Sequence, residues 1–415
     1  RAGVPFVSTV CIICAPPVGS EASPERFTAI AMSGADIAQS ELGYTGEGVK
    51  VAVMDTGIDI DHPDLGGNGT NGTTPFPSAR VAYGYDFVGD SFNADPSSAA
   101  YNPVPMPDPN PDDCNGHGSH VAGIVGANGS VTGVAPGVTF GAYRVFGCDG
   151  STTADIMIAA MERAYKDGMD ILNMSIGSSF QWPQYPTAVA ASRLVERGMV
   201  VVASIGNSGT SGLYAAGAPG LGEHVIGTAS FDNTHVALTT FTVTPAGLTI
   251  GYANAAAAPP APTSGSLPLA KTGTPTTIDD GCAAVPAGTF VGQAVLIRRG
   301  TCAFHLKALN AMNAGAAAVV LYNNAAGRFS PTVAGTPAIT IPVVAVSDTE
   351  GVAINNAIDA GAQTLNWTAN TGSFLNPTGG LISSFSSYGL SPDLALKPDI
   401  GAPGGLIYST YPLEA

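Results

Sequence analysis

Short apolar runs that end in polar or glycine residues recur in the first half of the chain. The clearest is residues 49–54 (VKVAVM), which lead directly into Asp55, Thr56 and Gly57. Apolar, β-branched runs of this length are typical of parallel strands that are buried on both faces. Open α/β sheets place their chemistry at the carboxyl ends of such strands. The pattern therefore predicts a buried strand with Asp55 at its functional end.

Similar runs alternate with helix-like segments over residues 48–233. The pattern predicts strands at 138–145, 169–174, 199–203 and 225–230, and helices at 118–127 and 187–197. A further helix is expected to have Thr152 as its cap and Asp155 at its third position, and to stop near Gly168. Strands that alternate with helices predict a doubly wound, mostly parallel α/β sheet.

The alternation stops near residue 234 and resumes near residue 379. The intervening segment is rich in Ala, Pro, Thr and Gly, and residues 255–262 have the composition of a mobile linker. Ser347 and Glu350 form a capping box that opens a helix ending near Gly361. The other elements predicted here are strands at 293–298, 316–322 and 341–346 and a helix at 304–313.

The chain thus divides into an N-terminal extension (1–47), a first α/β part (48–233), an inserted smaller α/β domain (234–378) and a second α/β part (379–415). The extension contains a predicted helix at about 29–40 and the pair Cys11 and Cys14, which has the spacing of redox and metal sites. No βαβ redox pattern follows this pair, and no second Cys pair completes a zinc site. A structural pair or a local disulfide is therefore favoured.

Composition narrows the class of protein. The chain has 15 basic and 31 acidic residues, a formal net charge of -16, which disfavours nucleic acid as a partner. No run of about 18 uncharged apolar residues occurs, so no membrane span is expected. The chain starts at Arg1 without a visible signal peptide, which suggests a processed start. High Gly, low Lys and sequons such as Asn68-Gly69-Thr70 favour a secreted, extracellular protein.

Two stretches elsewhere in the chain complement Asp55. One is Gly116-His117-Gly118, and the other is Gly206-Asn207, which follows the predicted strand at 199–203. A serine hydroxyl is a poor nucleophile until an imidazole takes its proton, and a buried carboxylate holds that imidazole in one tautomer. Asp55 and His117 suit these two roles. Asn207 alone would be read as a turn residue, but beside the other motifs it is a candidate donor to an oxyanion.

These motifs together resemble the subtilisin-like serine proteases, or subtilases, in which the acid precedes the histidine and the serine comes last. Residues 382–389 and 397–405 are similar to the segment that leads to the family's nucleophile. The resemblance implies that Asp55 orients the imidazole, that His117 is general base and then general acid, and that Asn207 stabilises the oxyanion. The family usually has threonine at the position of Ser119.

The resemblance also implies a substrate-binding surface made of two segments that follow predicted strands. In the family, the first segment pairs with the substrate backbone as an additional strand, and here it is Ser175, Ile176 and Gly177. The second forms part of the primary specificity pocket, and here it is Ala203, Ser204, Ile205 and Gly206. The family usually has a small residue at the position of Ile205. Protein or peptide substrates are the implied partners, and no cofactor is required.

Residues 295–304, followed by residues 314–316, resemble a protease-associated domain, a module that is commonly inserted in the catalytic domain of large subtilases. Cys282 and Cys302 bracket its first predicted strand, and we expect a disulfide between them. We expect a second disulfide between Cys114 and Cys148 that tethers the histidine loop, with free thiols as the alternative.

Several residues near the motifs compete for their roles. Asp59, Asp61 and Asp64 follow the predicted strand rather than end it, and Asp64 is interpreted as a turn residue. The triplet at Asp55 also matches an aspartic-protease signature, but no second such triplet occurs. His62 is too close to the acid in sequence to replace His117, and His120 is interpreted as a packing residue.

Three acidic residues, Asp108, Asp112 and Asp113, cluster just upstream of His117. Oxygen-rich loops of this kind bind calcium in many proteins, so a structural calcium site is one interpretation. A solvated acidic loop is the favoured one, and no metal ligand is assigned.

The nucleophile is missing from its expected place. The family carries its serine in a Gly-Thr-Ser turn beyond residues 397–405, whereas the chain's only such triplet is Gly209-Thr210-Ser211. Ser409 lies in the right region but lacks the glycine turn, so neither serine is assigned. We expect that the chain is truncated, that the serine lies past Ala415 in a C-terminal fragment, and that the printed chain is inactive. The alternative is a catalytically inactive homologue that binds proteins.

Overall fold

The computed structural model describes residues 24–414, which form two compact units. The first unit comprises the residues up to Asn233 and those from Gly380 onwards, and the second comprises Thr234–Gly379. The second unit differs by one residue from the limits predicted for the inserted domain. Cys11 and Cys14 lie outside the described residues. Within residues 24–414, no helix has the length and apolar character needed to cross a membrane.

The part of the first unit before the boundary at Asn233 alternates strands with helices. Its strands are β1 (Lys50–Asp55), β2 (Val81–Asp86), β3 (Thr139–Arg144), β4 (Ile171–Met174), β5 (Ser178–Ser179), β6 (Val200–Ser204), β7 (Gly217–Ala218) and β8 (Ile226–Asp232). Its helices are α1 (Pro24–Ser33), α2 (Ala35–Ser40), α3 (His117–Gly126), α4 (Ala154–Lys166) and α5 (Pro186–Glu196).

Two helix predictions in this unit were wrong in detail. The single helix expected at 29–40 is divided into α1 and α2, because Gly34 adopts a left-handed backbone with φ of 72°. Thr152 does not cap α4. The chain stays extended through Thr153, whose side chain makes no capping hydrogen bond, and the helix begins at Ala154. Thr152 itself is fully buried.

The second unit is a closed barrel with two helices. Its elements are β9 (His235–Thr244), β10 (Leu248–Asn254), β11 (Ser266–Lys271), β12 (Ala294–Arg298), α6 (Phe304–Asn313), β13 (Ala318–Tyr322), β14 (Val343–Val346), α7 (Asp348–Ala360) and β15 (Thr364–Leu375). The strands follow one another around the barrel in the order β10-β14-β13-β12-β11-β15-β9. Its core includes Phe241, Tyr252 and Trp367, whose ring centroids lie 5.5–5.8 Å apart.

Two local predictions fall in this unit. The capping box is confirmed: Ser347 Oγ accepts from the backbone N–H of Glu350, and the Glu350 carboxylate accepts from that of Ser347. Residues 255–262, which have the composition of a linker, connect β10 to β11 within the second unit. Ala255 is buried there, and its N–H donates to the carbonyl of Val343 over 2.8 Å.

The first unit is completed by β16 (Ile400–Gly405), which joins a sheet of seven parallel strands in the order β16-β8-β6-β4-β1-β3-β2. Both faces of this sheet are covered. Val51 and Val53 of β1 pack with residues of α3, whereas Ala52 and Met54 pack with residues of α4 and α5. The prediction of a doubly wound, parallel α/β sheet is therefore confirmed, and β1 lies near its centre.

Candidate active site

The acid and the histidine meet at the carboxyl end of β1. Asp55 is the last residue of that strand, and His117 is the first residue of α3. Nδ1 of His117 lies 2.6 Å from Oδ1 of Asp55. The Asp55 side chain is fully buried and that of His117 is 11% exposed. The same carboxylate oxygen accepts from the backbone N–H of Thr56 over 2.8 Å. The backbone N–H of Thr56, just after β1, thus helps to fix the orientation of the Asp55 carboxylate.

The contact determines how His117 holds its protons. Burial lowers the pKa of His117 by disfavouring the imidazolium, but the charge of Asp55 and its hydrogen bond outweigh burial and raise the pKa above the ordinary histidine value. Among residues 24–414, no hydrogen-bonding atom contacts the buried Nε2. With Nδ1–H directed at Asp55, the neutral ring offers the lone pair of Nε2 to an incoming proton.

Glycines allow the histidine helix to approach β1 closely. Gly116 has a φ of 105°, in the left-handed region that favours glycine. A Cβ on Gly118 would lie 2.0 Å from the carbonyl oxygen of Gly57, which is a backbone atom and cannot rotate away. Gly118 is thus required by the contact between α3 and the turn that follows Asp55, and Gly116 is required by its left-handed backbone.

The acidic cluster upstream of His117 differs from the favoured prediction. Only Asp108 is exposed, whereas Asp113 is 1% exposed and Asp112 is half-buried, so the solvated-loop interpretation was wrong for these two. The Asp113 carboxylate accepts five hydrogen bonds from Thr56, Asn115, Gly116 and Ser119. The Asp113 carboxylate therefore fixes the loop ahead of His117 by accepting from backbone and hydroxyl donors.

A disulfide and a buried arginine fix the other side of the histidine loop. Cys114 is bonded to Cys148, just beyond β3, as expected from the sequence. Arg144, at the end of β3, is 3% exposed and pairs with Asp86 and Asp90. Its guanidinium also donates to the carbonyl of Asp112. The loop is thus attached to β2 and β3 before the chain enters α3. In the second unit, Cys282 is bonded to Cys302.

Asn207 lies just beyond β6, at the carboxyl ends of the strands, where Asp55 also lies. Only β4 separates β6 from β1, so the carboxyl ends of these two strands lie about 10 Å apart. The turn is held by Ser387, whose N–H donates to the carbonyl of Gly206 and whose hydroxyl accepts from the N–H of Ser208. Asn207 is half-buried in this turn.

Residues 46–414 match the model of the subtilase family. The chain belongs to this family. The minor extracellular protease Vpr of Bacillus subtilis (strain 168) is 36% identical over 377 residues, which cover 90% of this chain and 43% of Vpr. The PI-type proteinase of Lactococcus lactis subsp. cremoris is 29% identical over 93% of this chain and 22% of its own length. Subtilisin DY of Bacillus licheniformis is 35% identical over 48% of this chain and 62% of its own length. The subtilase chain thus spans less than half of the first two relatives.

The two segments expected to bind substrate lie at the carboxyl ends of β4 and β6 in this subtilase. The first, Ser175–Gly177, follows β4; the second, Ala203–Gly206, begins in β6 and runs beyond it. Ile176, Ala203 and Ile205 are buried in the core, so they would meet a substrate through their backbone. Ser175, Gly177, Ser204 and Gly206 are half-buried. Beyond Gly177, β5 pairs with β7, and Ser179 accepts a hydrogen bond from the hydroxyl of Ser208. The two segments are therefore joined beside Asn207.

The competing acids and histidines have structural partners. The Asp61 carboxylate accepts from the backbone of residues 72–74, and that of Asp64 accepts from Ser130 and Val131. Asp59 is fully buried, and its carboxylate accepts from the N–H groups of Asp61, His62 and Leu413. Nε2 of His120 lies 3.2 Å from the carbonyl oxygen of Ile407. These side chains hold loops together, which agrees with the turn role expected for Asp64 and the packing role expected for His120.

The two serines that were left unassigned lie in other surroundings. Ser211 ends a short 3₁₀ turn, Gly209–Ser211, and is exposed. Ser409 is buried, and its hydroxyl donates to the carbonyl of His120 over 2.8 Å. Neither hydroxyl is bonded to Nε2 of His117. The residue that sequence reasoning missed is Asp113. The Asp-x-Asn-Gly pattern ahead of His117 was the available signal, because an aspartate there accepts from the backbone of its own turn.

Proposed function

We propose that this subtilase is the catalytic part of a secreted serine endopeptidase that hydrolyses peptide bonds of protein substrates through an acyl-enzyme. The observation that carries the proposal is the contact between Asp55 and Nδ1 of His117, which leaves Nε2 without a partner among the described residues. Secretion is supported by the relative named an extracellular protease and by the two disulfides, which persist in oxidising compartments.

In the proposed acylation, a serine Oγ bonds to the carbonyl carbon of the scissile peptide while its proton moves to Nε2 of His117. The carbonyl electron pair becomes an oxyanion. As the tetrahedral intermediate collapses, the carbon–nitrogen bond breaks and Nε2 returns the proton to the leaving amine. Water then repeats these steps on the acyl-enzyme and releases the serine. Asp55 stays ionised throughout and stabilises the imidazolium.

Asn207 is the proposed donor to the oxyanion. An amide at the carboxyl ends of the strands can form a stronger hydrogen bond with the oxyanion than with the ground-state carbonyl, and this lowers the free-energy barrier of acylation. In a subtilisin, loss of such an amide costs on the order of 10²–10³ in kcat. Its position beyond β6 supports this role, since the turn is held from both sides by Ser387.

We propose that the nucleophile lies past Ala415. Residues 409–411 follow α3 and the turn before it: the hydroxyls of Ser409 and Thr410 donate to the carbonyls of His120 and Ser119 in α3, and the hydroxyl of Tyr411 donates to the carbonyl of Asn115 just before the helix. A chain that follows α3 in this way is directed along the element that carries the general base. We also propose that the barrel of the second unit is a protease-associated domain that selects protein substrates.

Peptide hydrolysis by the longer protein, which includes the residues past Ala415, tests the proposal. We expect turnover of short peptides, and His117→Ala should lower kcat on the order of 10⁶-fold, the loss known for a subtilisin. His224→Ala is the matched control, because His224 is exposed and should leave kcat unchanged. A folded longer protein that hydrolyses no peptide and carries another residue where the serine is expected would favour the alternative, an inactive homologue that binds proteins.

A further inference from the structure

The Asp113 carboxylate connects the two chain segments that carry the catalytic pair. Its Oδ1 accepts from the hydroxyl of Thr56 over 2.9 Å and from the backbone N–H groups of Asn115 and Gly116 over 2.9 and 3.0 Å. Its Oδ2 accepts from the N–H and the hydroxyl of Ser119 over 2.9 and 2.7 Å. One side chain thus contacts the residue after Asp55 and both flanks of His117.

The partners of Asp113 extend the connection in both directions. The hydroxyl of Thr56 also accepts from the N–H of Gly118, the residue after His117, over 2.8 Å. The hydroxyl of Ser119 accepts from the N–H of Asp59 over 2.8 Å. Each hydroxyl therefore bridges the turn after β1 and the first turn of α3, and Asp113 orients both hydroxyls by accepting their protons.

This site requires a carboxylate. All five bonds are donated to Asp113, so both of its oxygens must act as acceptors. An asparagine in either orientation would place its NH₂ group against at least two of these donors. The charge of Asp113 also acts on His117, whose pKa it raises together with Asp55. Asp113 is 1% exposed, so solvent screens this effect little.

We propose that Asp113 is a positioning residue: it holds the histidine loop on the turn after β1, so that Nδ1 of His117 stays on the Asp55 carboxylate. Its meaning for catalysis rests on the proposed function, whereas the positioning itself is a property of the folded chain. Because the position of the general base enters the rate and not the affinity for substrate, loss of Asp113 should act on kcat rather than on KM.

The test uses proton NMR of the 415-residue chain, in which the Nδ1–H of a histidine bonded to a carboxylate gives a resonance far downfield. Asp113→Asn should shift or broaden this resonance and lower the pKa of His117. Asp108→Asn is the matched control, because Asp108 is exposed and the same charge is removed from the same loop. A folded Asp113→Asn chain with the wild-type resonance and pKa would overturn the proposal.

If Asp113→Asn does not fold, two variants of Ser119 test the proposal instead. Ser119→Ala removes one donor to Asp113 and should move the resonance, whereas Ser119→Thr retains the hydroxyl and should restore it. An unmoved resonance in folded Ser119→Ala would overturn the proposal. In the longer protein, Asp113→Asn should lower kcat on the order of 10²-fold with little change in KM. Since the NMR measurement needs no nucleophile, a protein that cleaves nothing would refute the proposed function without affecting this result.

Discussion

At the scale of single residues, the proposed chemistry depends on the 2.6 Å contact between His117 Nδ1 and Asp55 Oδ1. A buried carboxylate costs free energy unless it is hydrogen-bonded, and here the backbone N–H of Thr56 and the imidazole both bond to Oδ1, whereas the buried Oδ2 has no hydrogen-bond partner among the described residues. The carboxylate also favours the tautomer of the His117 ring in which Nδ1 carries the proton and Nε2 does not. The geometry therefore prepares His117 to act as a base before any substrate binds.

The pH dependence of the longer protein should report this contact. Asp55 raises the pKa of His117, and a general base must be neutral, so kcat/KM should rise as the pH increases through that raised pKa. Asp55→Asn removes the charge, so the rise should move to lower pH while kcat falls on the order of 10⁴-fold. A pH–rate profile of both proteins measures this, and an unmoved rise in the variant would contradict the assignment.

Asp112 gives a second prediction, which concerns stability. Burial raises its pKa to about 6, with nearby Asp59 and Glu414 adding to the effect. A carboxylate with a raised pKa in the folded state destabilises the fold as the pH increases from about 4 to about 6. Asp112→Asn keeps the acceptor for the N–H of Ile60 without this cost.

We therefore expect Asp112→Asn to stabilise the chain on the order of 1 kcal/mol at pH 7.5, after allowance for partial solvent screening. The advantage should disappear near pH 4, where the wild-type carboxylate is protonated. Thermal unfolding at the two pH values measures the difference. Equal melting temperatures for variant and wild type at pH 7.5 would show that Asp112 ionises without cost.

The sequence was sufficient to find Asp55 and His117, because an acid at a strand end and a histidine between glycines are visible as patterns. Asp113 was not separated from Asp108, although the Asp-x-Asn-Gly pattern that it begins favours an aspartate that accepts from its own turn. Composition alone does not distinguish an aspartate that faces solvent from one whose carboxylate accepts from neighbouring backbone and hydroxyl groups. Only the fold shows that Asp113 accepts five bonds while Asp108 is exposed.

At the scale of elements, the sequence placed eight strands within two residues, because most of them are short apolar runs; these are β1, β3, β4, β6, β8, β12, β13 and β14. Such strands are continuous apolar runs, as in β1, β12 and β13. The strands that were not predicted include β2, β11 and β16 and the three longest of them, β9, β10 and β15. Much of the length of these three is half-buried or exposed and rich in Thr, Gly and Asn, so local sequence does not distinguish them from loops. Their stability comes from closure of the barrel, which is a long-range property.

The Cys114–Cys148 disulfide provides a prediction at this scale. It closes a segment with a sequence separation of 34 and holds the histidine loop against the end of β3. Replacing both cysteines by serine should lower the free energy of unfolding of the first unit by about 3 kcal/mol, mainly because the unfolded chain gains freedom. Hydrogen exchange of β1 and α3 under increasing urea measures this.

The second disulfide is the matched control. Replacing Cys282 and Cys302 by serine removes a bond of the same kind from the other unit. We expect faster exchange in β12 and α6 and little change in β1 and α3. Unaltered protection of β1 and α3 in the Cys114/Cys148 variant would show that the loop does not depend on its disulfide.

At the scale of the whole molecule, the chain leaves the first unit once and returns to it once. His235 and Leu375, at the two ends of the second unit, are paired partners in β9 and β15. In the first unit, the N–H of Asp232 donates to Leu381, and that of Gly380 donates to Asp232. The ends of the barrel are therefore neighbours, which is the geometry of an inserted domain.

This geometry predicts that the barrel can be removed. Replacing residues 235–378 by a short Gly-Ser linker should leave a first unit that folds, because the seven-stranded sheet and its two apolar cores lie outside the insert. In the longer protein, kcat/KM for short peptides should stay within about tenfold, whereas cleavage of folded proteins should fall further if the barrel selects substrates. Equal losses for both substrates would exclude that role.

Fluorophosphonates form a covalent adduct with an activated serine, so the site of labelling in the longer protein identifies the nucleophile. We expect one adduct, on a serine past Ala415, which forms rapidly in the wild type and is suppressed by His117→Ala. Labelling of Ser211 or Ser409, or no labelling of a folded protein, would contradict the claim that Asp55 and His117 serve a serine outside the printed chain.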